Sequence, residues 1–350
     1  MQDHIGSRPC AAARGGPRPR LPEKLVRARA LVLGFSLASL GCSAHPPAQP
    51  ASGPGGSAYA HARVARSTWG SGRESYWLFE PDAPRPESAP VVVFLHGWGA
   101  MKPEPYLAWI EHLVRRGNIV VYPVYQASLR ERPAAMTPAA MASLRDALAH
   151  LDGKEHVRAE TTHLALVGHS LGATIAANIA AAQPEGLPRP AALMVVEPGD
   201  SGDLQLARRS VQSLRADTST IPAGTLMLVV VGDEDRMVGM DTARKIFQGA
   251  TQVAAADKDF VVMRSDRHGK PELVADHSAP LATHTLLLRR RGVIDALDTH
   301  GLWKLYDALL DAAFRGQNRD MALGGGEGMT SMGQWSDGQP VLALTVTDAP

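Results

Sequence analysis

A serine between two glycines stands where an apolar run meets a helical pattern. Ser170 lies two positions after Gly168 and two before Gly172, between the apolar run 164–167 and the small-residue pattern 173–177. Where a strand turns directly into a helix, the backbone leaves no room for a Cβ at these two glycine positions. Such a turn holds the serine hydroxyl above the sheet, beside the N–H groups that begin the helix. We therefore predict that Ser170 is a nucleophile; the alternative is an ordinary glycine-rich turn.

A nucleophilic serine needs a base that takes its proton and an acid that orients the base. Candidate acids follow the apolar run 226–231, whose carboxyl end would open on the same side of a parallel sheet as Ser170. We favour Asp235, because Gly232 can turn the chain before it and Val238 can return to the core after it. The alternative is a solvated acidic loop.

Two histidines follow the last predicted strand, 260–263, and either could be the base. His268 comes after a short loop, and we favour it because this is the more economical path. His277 requires the same loop to run out and return. Both histidines stay candidates on the sequence alone.

The negative oxygen that forms during acyl transfer needs two oriented donors, and backbone N–H groups serve best. One is the N–H of Leu171, which follows the serine. The other belongs to the loop after the apolar run 91–95, where His96 and Gly97 allow a sharp turn, and we assign it to Trp98. A simple strand-end turn is the alternative for this loop.

The elements that must position these residues alternate along the chain. Apolar runs without polar alternation are typical of parallel strands covered on both faces. They occupy 91–95, 119–122, 164–167, 192–196, 226–231 and 260–263, and the predicted helices between and after them occupy 104–116, 138–151, 171–182, 240–247 and 299–314. We predict one α/β domain over 62–315, with a doubly wound, mostly parallel sheet and no large cap. Residues 316–350 are predicted to be an appendage that packs on this domain, with a late strand at 341–346.

Composition and charge restrict the partners. The formal net charge is +1, and the basic excess lies in residues 1–41, so the rest of the chain is mildly acidic. A nucleic-acid partner is therefore not expected. The acidic pair at Asp233 and Glu234 could suggest a metal site, but no histidine or further carboxylate stands at ligand spacing, so neither a metal nor a cofactor is expected.

The beginning of the chain has the features of an export signal. Basic residues precede a short apolar stretch at 31–38, and small residues lead to Cys42. The sequence Ser39-Leu40-Gly41-Cys42 is similar to the lipobox of bacterial lipoproteins, in which the cysteine is lipidated. We therefore expect a signal peptide over 1–42, a membrane anchor at Cys42 and an exported domain, with an ordinary cleaved signal as the alternative. The Pro-, Gly- and Ser-rich stretch 43–61 is predicted to be a flexible tether.

With the loop 96–99, Ser170, Asp235 and a later histidine in this order, the chain resembles the α/β-hydrolase family over about residues 62–315. The missing cap makes it similar to dienelactone-hydrolase-like and cutinase-like members. The sequence around His277 also resembles the histidine loop of cutinase-like polyester hydrolases. The resemblance implies a covalent acyl-enzyme and its hydrolysis by water.

These observations together predict a secreted or lipid-anchored serine carboxylesterase. A lipase or polyester hydrolase is the nearest alternative, because an open site on an exported protein suits large or insoluble esters. A hydrolase fold without activity that serves as an envelope binding protein is the alternative of another class.

Overall fold

The computed structural model describes residues 43–199, 217–283 and 292–350. The predicted signal peptide and the predicted lipidation at Cys42 lie outside these residues. In the described parts of the chain, no helix is both long and apolar enough to span a bilayer.

One sheet of nine strands organises the described residues. Its strands are β1 (Arg63–Trp69), β2 (Tyr76–Asp82), β3 (Ser88–Leu95), β4 (Ile119–Pro123), β5 (Arg158–His169), β6 (Ala192–Val196), β7 (Leu226–Gly232), β8 (Lys258–Met263) and β9 (Thr345–Thr347). They lie in the order β1-β2-β4-β3-β5-β6-β7-β8-β9. Neighbours from β4 to β8 pair in parallel, and the antiparallel pairs are β1 with β2, β2 with β4, and β8 with β9.

Helices cover both faces of this sheet. They are α1 (Leu107–Arg115), α2 (Pro133–Leu151), α3 (Leu171–Ala182), α4 (Asp241–Gly249), α5 (Trp303–Arg315) and the short α6 (Glu327–Thr330). Successive residues of β3 point to opposite faces, so Val92 packs in the cluster with α1 and α5, while Val93 packs in the cluster with α2, α3 and α4. Full burial of each such side chain stabilises the fold by about 1.5–3 kcal/mol. Burial on both faces explains why these strands have no polar alternation.

This arrangement is an α/β-hydrolase fold, and the predicted fold class is confirmed. The described residues contain no separate cap between β6 and β7; residues 200–216 of that connection lie outside them. Strand and helix limits both differ from the predicted ones, and β5 begins at Arg158, six residues before the predicted apolar run. α2 begins at Pro133, five residues before the predicted start, because proline is tolerated at the first position of a helix; Pro138 lies inside the helix.

Residues 43–61, which their composition predicts to be a flexible tether, lie against the domain in the structure. The N–H of Gly55 donates a hydrogen bond of 2.7 Å to Oδ2 of Asp307, a buried residue of α5. Gly55 has φ +77°, and a Cβ there would lie 2.0 Å from the carbonyl oxygen of Thr299. The glycine content of this segment therefore permits close approach to the domain, which composition alone cannot distinguish from flexibility.

Residues 316–350 also pack on the domain. β9 pairs with the edge strand β8 and covers part of its free backbone. Trp335 is buried and donates from Nε1 to Oδ2 of Asp266 at 3.0 Å, and the N–H of Leu342 donates to the same oxygen at 2.9 Å. The strand predicted at 341–346 is shorter and lies later in the chain, at β9.

Candidate active site

Ser170 occupies the turn between β5 and α3 in a backbone conformation that is rare for a residue with a side chain. Its φ is 56° and its ψ is −125°. A Cβ on Gly168 would lie 2.2 Å from the carbonyl oxygen of Gly172, and a Cβ on Gly172 would lie 2.1 Å from that of Leu95. Both glycines are therefore required by contact between the turn, the helix and the neighbouring strand.

The ring of His277 joins Ser170 to Asp235. The Nε2 atom of His277 lies 2.9 Å from the Oγ of Ser170, and its Nδ1 lies 2.7 Å from Oδ2 of Asp235. Because a carboxylate accepts, Nδ1–H donates to Asp235, which leaves Nε2 free to accept the serine proton. The other carboxylate oxygen accepts from the N–H groups of Met237 and Val238, at 2.8 Å and 3.2 Å, so the loop itself fixes the carboxylate. The three side chains are buried.

His268, which the sequence favours as the base, lies away from this cluster. Its Nε2 is 2.7 Å from Oδ2 of Asp337, and 41% of its side chain is exposed. The loop after β8 first makes an excursion, closed by the pairing of Asp266 with Leu273, and only then returns towards the sheet. His277 lies on the returning part, so the geometry selects it over His268. A short connection to the strand does not identify the histidine near Ser170. The residues that directly follow β8 form an excursion with its own hydrogen bonds, and His268 lies in it.

The two backbone donors predicted for the oxyanion lie next to the serine along the chain, at Leu171, and in a loop that passes beside it, since a Cβ on Gly97 would lie 3.3 Å from Cβ of Ser170. Leu171 is the first residue of α3, where an N–H has no partner within the helix. The loop that carries Trp98 is fixed on both sides, because the N–H of Gly97 donates to Oη of Tyr106 at 2.9 Å and that of Gly99 to Oε1 of Gln126 at 2.8 Å. In contrast to these two N–H groups, those of Trp98 and Leu171 donate to no acceptor in the described ranges. They are free to bind an oxygen atom of a ligand.

Glu197 is a site residue that the sequence analysis missed. It directly follows β6, has a positive φ of 47°, and is buried. Its Oε2 lies 3.2 Å from Nε2 of His169 and 3.7 Å from Nδ1 of His277. Burial, followed by the negative charges of Asp235 and Asp276, raises the pKa of Glu197 well above its usual range. The available signal was a glutamate at the carboxyl end of a buried strand next to the one that carries the serine.

Donor atoms of His169, Glu197 and His277 lie within 4.8 Å of one another, a spacing that one metal ion could bridge. Nδ1 of His277 is at the same time bonded to Asp235, so an ion there would compete with that bond. The acidic pair that the sequence raised as a metal candidate is used otherwise. Asp233 lies 3.2 Å from Arg264, and Glu234 lies 2.6 Å from Arg267.

A family model described as Chlorophyllase matches residues 74–229. The matched stretch runs from β2 into β7 and contains Trp98, Ser170 and Glu197, but it ends before Asp235 and His277. A search of curated proteins found no match. The family match and the mostly parallel sheet fit the α/β-hydrolase superfamily.

Proposed function

We propose that this chain is a serine hydrolase that cleaves carboxylic esters. The observation that carries the proposal is the continuous contact from Ser170 Oγ to His277 Nε2 at 2.9 Å and from His277 Nδ1 to Asp235 Oδ2 at 2.7 Å. This is the arrangement that activates a serine hydroxyl, which is otherwise a weak nucleophile. The match to a family of ester hydrolases supports the same chemistry independently.

In the proposed reaction, His277 takes the proton of Ser170 while Oγ attacks the ester carbonyl carbon. The N–H groups of Trp98 and Leu171 bind the negative oxygen of the tetrahedral intermediate. The His277 imidazolium then protonates the leaving alcohol, which departs and leaves an acyl group on Ser170. Water repeats these steps and releases the acid. Asp235 keeps the ring in the tautomer with a free Nε2 and stabilises the imidazolium.

For the substrate, we propose a carboxylic ester with a non-polar acyl or alcohol group. Trp98 is partly buried and packs on the apolar cluster below the site, so its ring offers a non-polar wall. The description of the matching family makes chlorophyll a specific candidate. Emulsified lipids and polyesters are the alternative suggested by the resemblance to cutinase-like enzymes, and activity on emulsions against soluble esters separates these candidates.

The test uses a fluorophosphonate probe and a short-chain aryl ester. We expect the protein to be labelled and to hydrolyse the ester, and Ser170→Ala to lose both. Ser143→Ala is a matched control, because Ser143 is also buried but lies in α2. If the unmodified protein neither reacts with the probe nor hydrolyses any ester, the fold serves binding and the enzyme proposal is wrong.

We also propose that the protein is exported and anchored to a membrane through a lipid on Cys42, on the basis of the leader sequence alone. Metabolic labelling with an alkyne-tagged fatty acid tests this. We expect label on the unmodified protein and none on Cys42→Ser. Cleavage of the leader without label on Cys42 would indicate an ordinary secreted form.

A further inference from the structure

A chain of buried polar groups extends from the loop that carries Trp98 to the ring of His277. The N–H of Gly97 donates to Oη of Tyr106 at 2.9 Å, and this oxygen lies 2.8 Å from Nδ1 of His169. On the other side of its ring, Nε2 of His169 lies 3.2 Å from Oε2 of Glu197. That oxygen lies 3.7 Å from Nδ1 of His277.

One arrangement of protons gives the hydroxyl of Tyr106 and both ring nitrogens of His169 a partner. The oxygen of Tyr106 accepts from Gly97, so its single proton is available for Nδ1 of His169. His169 then carries its own proton on Nε2 and donates it to Glu197. The reverse tautomer would leave the tyrosine proton without an acceptor among the described residues. Burial, followed by the proximity of His277, lowers the pKa of His169 well below its usual range, which keeps the ring neutral.

Glu197 is surrounded by groups that favour its neutral form. It is faced by the carboxylates of Asp235 and Asp276 and by the rings of His169 and His277, and its raised pKa follows from burial first and from the two carboxylates next. Its Oε1 has no hydrogen-bond partner in the described parts of the chain and can carry the proton. Asp235 is then the carboxylate that bonds to Nδ1 of His277.

We propose that Tyr106, His169 and Glu197 form a positioning network that holds the Trp98 loop and the ring of His277 in fixed relation to Ser170. The proposal rests on the proposed function, because it assigns roles relative to that reaction. The three residues act through other groups. Tyr106 fixes the N–H next to that of Trp98, and Glu197 lies beside the nitrogen of His277 that bonds to Asp235. A small displacement at either end would misplace a donor or the base.

The central test is a double-mutant cycle with Tyr106→Phe and Glu197→Ala, measured on an aryl ester. We expect each single variant to lower kcat about tenfold or more, with KM within about twofold, since the oriented groups act mainly in the transition state. The kcat of the double variant should be no more than about twofold below that of the less active single variant, because either change breaks the same network. Tyr306→Phe is the control, since Tyr306 is a buried tyrosine whose hydroxyl has no partner in the described ranges.

Losses in kcat that multiply in the double variant would show two independent structural residues and overturn the proposal. Full kcat in either single variant would overturn it as well.

The neutral form of Glu197 is tested by Glu197→Gln. An amide oxygen can accept from Nε2 of His169 without any charge, so we expect kcat within about threefold of the unmodified protein and an unchanged pH profile. If the site needs an ionised carboxylate at this position, the Gln variant will be as inactive as the Ala variant and its pH profile will shift.

A measurement that needs no activity separates failure of this network from failure of the enzyme proposal. In ¹⁵N-histidine NMR spectra, with the His169 signals assigned through His169→Gln, we expect the proton on Nε2 and none on Nδ1. Tyr106→Phe should alter the Nδ1 signal because it removes the donor. A proton on Nδ1 in the unmodified protein would contradict the network even if the ester assay succeeds, whereas the expected spectrum without any hydrolysis would reject only the proposed function.

Discussion

Two buried histidine–carboxylate pairs lie in different regions of this molecule and have almost the same nitrogen–oxygen distance. His277 contacts Asp235 at 2.7 Å above the carboxyl ends of the strands, and His112 contacts Asp307 at 2.8 Å between α1 and α5. The remaining nitrogen of His277 faces Ser170, on a strained turn. The difference between the two pairs therefore lies in what the second nitrogen meets.

The second nitrogen of His112 meets a closed structural cluster. Its Nδ1 lies 3.1 Å from the hydroxyl of Tyr59, while Asp307 also accepts from Arg116 at 3.1 Å and from the N–H of Gly55 at 2.7 Å. Arg116 directly follows α1, and Tyr59 and Gly55 belong to the segment 43–61, so the pair holds that segment on the domain. A histidine bonded to an aspartate is therefore not a sign of catalysis by itself; the third group decides the role.

The largest expected effect separates His277 from the histidine that sequence economy favours. His277→Ala should lower kcat on an aryl ester by about 10³-fold or more, since the proposed base is lost. His268→Ala should stay within about twofold, because this ring pairs with Asp337 at the surface. Steady-state kinetics of both variants, with circular dichroism to confirm folding, makes the comparison. Equal losses in both variants would argue against His277 as the base.

Replacement of Asp235, the proposed acid, tests which ring nitrogen of His277 carries the proton. Asp235→Asn should lower kcat by about 10²–10⁴-fold, because an amide can donate to Nδ1 and move the histidine proton to Nε2, where it blocks transfer from Ser170. Asp233→Asn is the matched control two residues away, since Asp233 bonds to Ser265 and Arg264 outside the site. A mild effect at Asp235 together with a severe effect of Glu197→Gln would reassign the acid to Glu197.

The pair of His112 and Asp307 should affect the stability of the fold and not the rate of the reaction. Asp307→Ala leaves His112 and Arg116 without their buried partner, so we expect the free energy of unfolding to fall by about 3–5 kcal/mol. Urea unfolding measures this, and kcat per folded molecule should be unchanged. Asp82→Ala, which breaks an exposed pair with Arg63, should leave the free energy of unfolding almost unchanged. A large loss of kcat in folded Asp307→Ala would show that the two regions are coupled.

A buried lysine of α5 gives the smallest predicted effect, which depends on pH. Lys304 donates to the carbonyl oxygens of Met329 and Ser331, and burial lowers its pKa from 10.5 to about 8. Between these two values the unfolded chain binds more protons than the folded one, so the free energy of unfolding should rise with pH, by up to about 3 kcal/mol. Below pH 8 this group adds no slope.

The measurement is urea unfolding of the unmodified protein and of Lys304→Met at several pH values from about 7 to 10. As the pH rises through this window, the free energy of unfolding of the unmodified protein should increase relative to that of Lys304→Met. Lys154→Met, at an exposed lysine, is the control for the loss of a positive charge. If the difference in unfolding free energy between the two proteins does not change with pH, Lys304 has the same pKa in the folded and the unfolded chain, and the prediction is wrong.

Much of the fold could be predicted because its signals are local. The part of a strand that is covered on both faces is apolar, so the buried parts of β3 to β8 are visible as runs in the sequence. The composition of residues 43–61 predicts a flexible tether, whereas the structure packs them on the domain. Proline and glycine are common both in flexible chains and in segments packed tightly on a surface. The start of α2 could not be predicted for a similar reason, since a proline such as Pro133 can either begin a helix or end one.

The sequence by itself determined the strained serine turn, since only glycine fits at Gly168 and Gly172, and it placed the candidate acid in one short loop. The choice between His268 and His277, and the presence of Glu197 beside the ring, were decided by the tertiary structure. Contacts between residues far apart in the chain depend on how loops return over the sheet. That path is set by hydrogen bonds such as the pairing of Asp266 with Leu273, which leave no periodic pattern in the sequence.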